Sequence, residues 1–206
     1  MRINEDYIDN VKPDELADDY SSLSMDVRQN VEWLLAGEHS NIDFNVVDSP
    51  IYKPKDRKEL LSLIRACVRK YGEDCNLNWI DVSGRHNFSN IFYGSKFNGD
   101  ISKWDVSEAI EMHQMFAESW FNGDLSSWNV SQVEDMSYMF SGAKFNNDSL
   151  ADWDVRNVKN MTALFKFSEF NGDISKWEFK HAKSMDYMFF YSSFDRDISG
   201  WYVKFI

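Results

Sequence analysis

The chain has 206 residues, 43% of them hydrophobic and 16% aromatic, with 34 acids against 22 bases for a net charge of −12. That hydrophobic share excludes a disordered chain. Three prolines and nine glycines exclude collagen-like and Pro-rich classes, and no apolar run approaches the roughly 18 residues of a membrane span. A polyanion is also a poor direct ligand for nucleic acid, whose phosphates are met by Lys and Arg, so no nucleic-acid binding is expected. The opening residues, MRINEDYIDNVKPDELADDY, carry neither the apolar core of a signal peptide nor a lipidation cysteine. They imply a cytoplasmic protein as given, or a surface protein if a leader has been removed.

In chain order, residues 1–52 read as an acidic N-terminal segment. It contains a helix, LSMDVRQNVEWLLAG, whose Leu23, Val27, Val31, Leu34 and Leu35 share one face, and IDFNVVDSPIY reads as a short strand. Residues 53–73 read as a capping helix. Asp56 and Glu59 form a capping box, Leu60, Leu61, Ile64, Cys67, Val68 and Tyr71 form an apolar stripe, and Gly72 stops the helix. Cys67 on that stripe reads as a core filler rather than a reactive thiol. Cys67 and Cys75 are the chain's only cysteines and suit a reducing compartment or one optional bridge. Charge is uneven: residues 1–50 hold 12 acids and 3 bases, and residues 53–70 hold 7 bases and 2 acids. Two readings stand for this asymmetry: mutual compensation between the segments, or a basic stripe for a ligand.

Residues 74–206 repeat with a period of 24. Trp104, Trp128, Trp153, Trp177 and Trp201 keep step with Phe97, Phe121, Phe145, Phe170 and Phe194, and one extra residue lies in NNDSLADW. A unit of this length cannot bury its apolar residues alone, so neighbours must stack. Within VSQVEDMSYMF, Val133, Met136, Met139 and Phe140 recur at i, i+3, i+6 and i+7, which predicts a short helix with Ser131 as its N-cap. FNGDLSSWNV opens on the turn signal Asn-Gly and predicts an extended segment. The expected fold is therefore α/β: a leucine-rich-repeat-like solenoid of about five 24-residue units with an N-terminal helical cap.

The units FNGDISKWDVSEAIEMHQMF, FNGDLSSWNVSQVEDMSYMF and FNGDISKWEFKHAKSMDYMF resemble the BspA-type leucine-rich-repeat family, whose repeats are common in bacterial surface proteins and lipoproteins. The resemblance covers residues 74–206. It implies adhesion or another protein–protein contact in a bacterial or phage setting, and it brings no catalytic residues.

Each ladder has a structural reading and a functional one. The tryptophans either build the core or line a carbohydrate-binding face. The Asn98, Asn122, Asn146 and Asn171 ladder and its Asp neighbours either bond along the stack or hold calcium, but each turn offers a single Asp. His39, His86, His113 and His181 fall in no ligand spacing, and no phosphate loop, nucleophile elbow or zincin motif occurs. No metal, cofactor or catalytic residue is expected. Residues that break the repeat point to binding: Trp120 in a column of Lys96, Lys144, Glu169 and Ser193, Phe190 and Tyr191 where another unit has Ser141 and Gly142, and Phe167 and Tyr93 in the same two columns. His113, in the column of Ser137, Thr162 and Asp186, is expected at the surface and completes the partner-binding candidates.

These features predict a non-catalytic protein-interaction module that binds another protein through an acidic, aromatic-dotted surface. The alternative is an intracellular inhibitor that mimics nucleic acid toward a nucleic-acid-handling or defence enzyme. A third class, a glycan-degrading enzyme, has only the abundance of carboxylates in its favour.

Overall fold

The computed structural model describes residues 52–203. The readings placed on residues 1–51 lie outside the described residues. Helix α1 spans Arg57–Tyr71. Its N-cap Asp56 is extended, and the Asp56 carboxylate accepts from the Glu59 backbone N–H at 2.8 Å. The Glu59 carboxylate reaches one residue past the cap, accepting from the Lys55 N–H at 2.7 Å, and also accepts from the Tyr52 hydroxyl. The helix stops at Gly72, whose φ of 90° no side-chain-bearing residue adopts easily and whose N–H returns to the Val68 carbonyl. Its buried face is Leu60, Leu63, Ile64 and Cys67, while Leu61, Val68 and Tyr71 are only half-buried against the core. The stripe is thus rotated toward Leu63 from the predicted one.

After the helix the chain forms layers at residues 73–96, 97–120, 121–144, 145–169 and 170–193, with 194–203 beginning another. Asn87, Glu111, Asp135, Asn160 and Ser184 are joined in succession by isolated parallel bridges, so equivalent residues of neighbouring layers face each other in register. The expected α/β leucine-rich-repeat-like solenoid is not found. Among the described residues α1 is the one helix, and the layers are joined by single bridges rather than by a continuous sheet.

The predicted repeat helix is replaced by a run of tight turns. The N–H groups of Met136, Tyr138, Phe140 and Gly142 donate to Asn160, Thr162, Leu164 and Lys166 of the next layer. Those of Met139, Ser141 and Ala143 fold back to the carbonyls of Met136, Tyr138 and Phe140, three residues earlier. Every second donor therefore leaves the layer, which an α-helix with its i→i−4 bonds cannot allow. The turns require left-handed backbone at two positions per layer: Asn90, Gln114, Tyr138, Ala163 and Tyr187 occupy one, and Gly94, Glu118, Gly142, Phe167 and Tyr191 occupy the other. The spacing i, i+3, i+6, i+7 suits both a helix and a chain of three-residue turns. Bonding between layers selects the turns.

The core is built from ring ladders. Phe97, Phe121, Phe145, Phe170 and Phe194 stack at centroid spacings of 6.1, 6.3, 6.1 and 6.1 Å. Beside them Phe92, Phe116, Phe140, Phe165 and Phe189 stack at 5.4, 5.5, 5.7 and 5.7 Å. The tryptophans complete each layer, with Trp104, Trp128, Trp153 and Trp177 buried. Each indole N–H donates to the carbonyl of the aliphatic residue one layer back, for example Trp128 Nε1 to Ile101 O at 3.0 Å and Trp177 Nε1 to Leu150 O at 2.9 Å. Trp128→Phe keeps a ring but removes that donor and part of the volume. It should lower stability by about 1–3 kcal/mol in urea unfolding, and an unchanged midpoint would exclude a role for the indole bond.

The polar ladders bond along the stack. The Asn98, Asn122 and Asn146 amide oxygens accept from the N–H of Asn122, Asn146 and Asn171 at 2.7–2.8 Å. Asp100, Asp124, Asp173 and Asp197 instead close local turns, each accepting from the N–H two residues on at 2.8–2.9 Å. These turns hold the Asp173 and Asp197 carboxyls below the ordinary carboxylate range, through the backbone and then the side chain of the following serine. Cys67 and Cys75 are both buried and free. The neighbouring Cys67 thiol, followed by burial, pushes the Cys75 thiol up.

Candidate interaction surface

The layer built from residues 170–193 ends the regular ladder among the described residues. By the pattern of earlier layers, the N–H groups of Met185, Tyr187, Phe189 and Tyr191 would donate to a following layer. Among the described residues they have no backbone acceptor. The core loosens here as well: Met185, Phe189, Phe194 and Trp201 are only half-buried, whereas their counterparts in inner layers are buried. Among the described residues, this layer thus carries a row of backbone donors at alternate residues without backbone acceptors, beside half-buried rings.

Four aromatic side chains converge on it. Tyr187, Phe190, Tyr191 and Phe167 are exposed, Tyr191 by 77%. Phe167 stacks on Tyr191 at 5.7 Å and meets Phe190 edge-on at 5.9 Å, while Phe190 meets Tyr191 at 4.4 Å and Tyr187 at 5.7 Å. The Lys166 ammonium lies 5.0 Å from the Phe167 ring centre and 5.8 Å from that of Phe190, adding a positive charge to the patch. Phe167, Tyr187 and Tyr191 all sit at left-handed positions, with φ of 57°, 57° and 53°. Bulky residues there cost about 1–2 kcal/mol each, and glycine holds the same turn in two earlier layers, at Gly94 and Gly142.

Of the predicted partner-binding residues, Phe167, Phe190 and Tyr191 thus come together. Trp120 is 55% exposed but belongs to the layer at 97–120, with the Lys96 ammonium 5.4 Å from its ring. Tyr93 is half-buried. His113 is half-buried rather than free at the surface: its Nδ1 lies 2.7 Å from the Ser137 hydroxyl and its ring meets Tyr138 edge-on. Tyr187 and Lys166 were missed. Tyr187 lay inside a predicted helix, where its column, otherwise Asn90, Gln114, Tyr138 and Ala163, gave no sign of exposure.

Among the described residues no group of three or more His, Cys, Asp or Glu side chains stands close enough to hold a metal ion. No helix among them is long and apolar enough to cross a membrane.

No curated protein and no solved structure matches the chain. A family model does, over residues 64–168 and again over residues 121–206; the overlap of the two matches reflects the internal repeat. Its description is "Mycoplasma protein of unknown function, DUF285". The resemblance to BspA-type leucine-rich repeats is thereby corrected: the family model that matches is a distinct one. The matches together take in residues 64 to 206, more than half of the sequence, and the chain belongs to the DUF285 family.

Proposed function

We propose that this protein is a non-catalytic interaction module whose end at residues 185–191 receives an extended segment of a partner protein. One observation carries the reading: three bulky aromatics are held at left-handed positions and kept exposed in a mutually packed patch. Left-handed backbone recurs in every layer, but two earlier layers hold glycine where Phe167 and Tyr191 stand, so exposed rings there are not demanded by the turn and suit contact with a partner. The backbone donors of Tyr187, Phe189 and Tyr191 would bond the partner's carbonyls, while the rings would take its apolar side chains. Charge supports the reading less. Twelve of the 34 acids lie in residues 1–50, and residues 52–203 carry 22 acids against 18 bases.

The test uses the native chain and a Phe190→Ser/Tyr191→Gly variant as baits in lysate of the source cells. Partner proteins retained by the native chain at high salt and bound about 30-fold more weakly by the variant are expected, the loss typical of hot-spot residues. Tyr191→Gly by itself should leave the melting temperature unchanged or raise it, because glycine relieves the φ strain. Partners recovered equally by both baits, or released by salt alone, would overturn the proposal.

A further inference from the structure

A second feature lies at the opposite end of the stack and is independent of the aromatic patch. The segment leading into α1 and the loop at residues 83–90 of the first layer enclose an open cleft of about 620 Å³. Its basic lining is Lys53, Lys55, Arg57, Arg85 and His86, and no carboxylate lines it.

The nearby carboxylates leave much of this charge uncompensated. Lys53 lies 3.8 Å from Asp81 and also donates to the Ser83 hydroxyl at 3.0 Å. His86 lies 3.5 Å from Glu108. The Lys55 ammonium has no ion pair among the described residues. Arg57 donates through one nitrogen to the Ser89 backbone carbonyl, and Arg85 through one nitrogen to the Asp56 carbonyl at 3.4 Å. Arg85 Nε is buried and has no partner among the described residues. Burial, and for Arg57 also the neighbouring Arg85, lowers the pKa of both guanidinium groups, whereas the Asp56 carboxylate acts to raise that of Arg85.

Two half-buried guanidinium groups side by side repel each other, and a buried N–H without an acceptor is costly. A bound oxyanion would remove both penalties. Four permanently charged groups around one cleft suit a dianion better than a single carboxylate. The planar donors of arginine match tetrahedral oxyanions in bidentate geometry. A volume of this size is in the range of small-molecule sites.

We propose that this cleft binds the phosphoryl group of a small molecule, or free phosphate, through Arg57 and Arg85 with Lys53 and Lys55 completing the charge. The basic run at residues 53–70 then has a ligand role in addition to any compensation of the acidic segment.

Isothermal titration of the full chain with inorganic phosphate, O-phosphoserine and serine, each against sodium chloride at matched ionic strength, tests the proposal. Saturable binding of phosphate is expected, and serine should give no heat. O-phosphoserine binding more tightly than phosphate assigns the site to a phosphorylated molecule; the reverse order assigns it to the free ion. Arg85→Gln should weaken binding by about ten-fold, as loss of a charged hydrogen bond implies. Because Arg85 also bonds the helix entry, the exposed pair Lys53→Gln/Lys55→Gln serves as a second variant and should weaken binding with an unchanged melting temperature. Phosphate heats equal to those of chloride, or native affinity in the lysine pair and in a folded Arg85→Gln protein, would overturn the assignment.

Discussion

Phe140→Ala should cost about 3–5 kcal/mol of stability, as burial of a whole ring at a fully enclosed site implies. The Phe140 side chain is 0% exposed and stacks on Phe116 at 5.5 Å and on Phe165 at 5.7 Å. It also meets Phe145 at 4.6 Å and Trp153 at 6.5 Å. Deleting it opens a void between two layers whose spacing is set by backbone bonds, so collapse cannot fill the space. Domains of ordinary stability have only about 5–15 kcal/mol to lose, and the variant should therefore be near the edge of folding at physiological temperature. Phe194→Ala gives the contrast. That ring belongs to the same kind of ladder but is half-buried, and among the described residues its stacked neighbour in its own column is Phe170. Its loss should cost about half as much or less. Urea unfolding of both variants checks the pair. Equal costs would contradict layers that bury their rings through nearest neighbours.

The second large effect is expected at Gly99. A β-carbon built there would lie 1.9 Å from the Cys75 carbonyl oxygen and 2.8 Å from its carbon. Both are backbone atoms, and the Asp100 N–H bonds that same carbonyl at 3.2 Å. Gly99→Ala must push the first two layers apart or break the bond, at a cost of about 2–3 kcal/mol or more, the range of severe overpacking. Gly172 is similarly crowded, 2.3 Å from the Asn147 carbonyl. At Gly123 the closest atoms are at the edge of the Phe121 ring, 2.7 and 2.8 Å away, and the nearest backbone oxygen is at 3.4 Å. A ring can tilt where a carbonyl cannot, so Gly123→Ala should cost about 1 kcal/mol, at the mild end of the same range. Thermal melts of the three alanine variants should rank Gly123 as the mildest. If Gly99→Ala were as mild as Gly123→Ala, backbone contact between layers would not be what demands glycine.

These glycines show how a correct sequence signal can carry the wrong cause. Asn-Gly is a turn signal, and glycine's usual role in a turn is to take left-handed backbone. Yet Gly99, Gly123 and Gly172 are not among the left-handed residues; at Gly99 and Gly172 the preceding layer's backbone leaves no room for a side chain, and Gly123 lies against the Phe121 ring of its own layer. The positions that do turn left-handed are filled mostly by other residues, among them Tyr138, Phe167 and Tyr191. No local propensity would have placed them there. At Tyr138 and Phe167 the conformation accompanies an N–H drawn to the next layer, to Thr162 and Phe190.

What the amino-acid order determined by itself is the period and the columns. The Trp and Phe ladders, the Asn ladder along the stack, the N-cap at Asp56 and the stop at Gly72 can be read from residue type and spacing. Each depends on contacts between residues a fixed number of positions apart, and a repeat displays that number directly. Tertiary structure decided the rest. It chose turns over a helix, because an apolar spacing of three fits both and the choice depends on hydrogen bonds to a layer 24 residues away. It gathered Phe167, Tyr187, Phe190 and Tyr191 into one patch while leaving Trp120 in an earlier layer. It brought Arg57 beside Arg85 across 28 residues of sequence. Those pairings are set by how the helix docks on the first layer and how each layer turns. These are properties of the packed chain, because they depend on hydrogen bonds and contacts between layers.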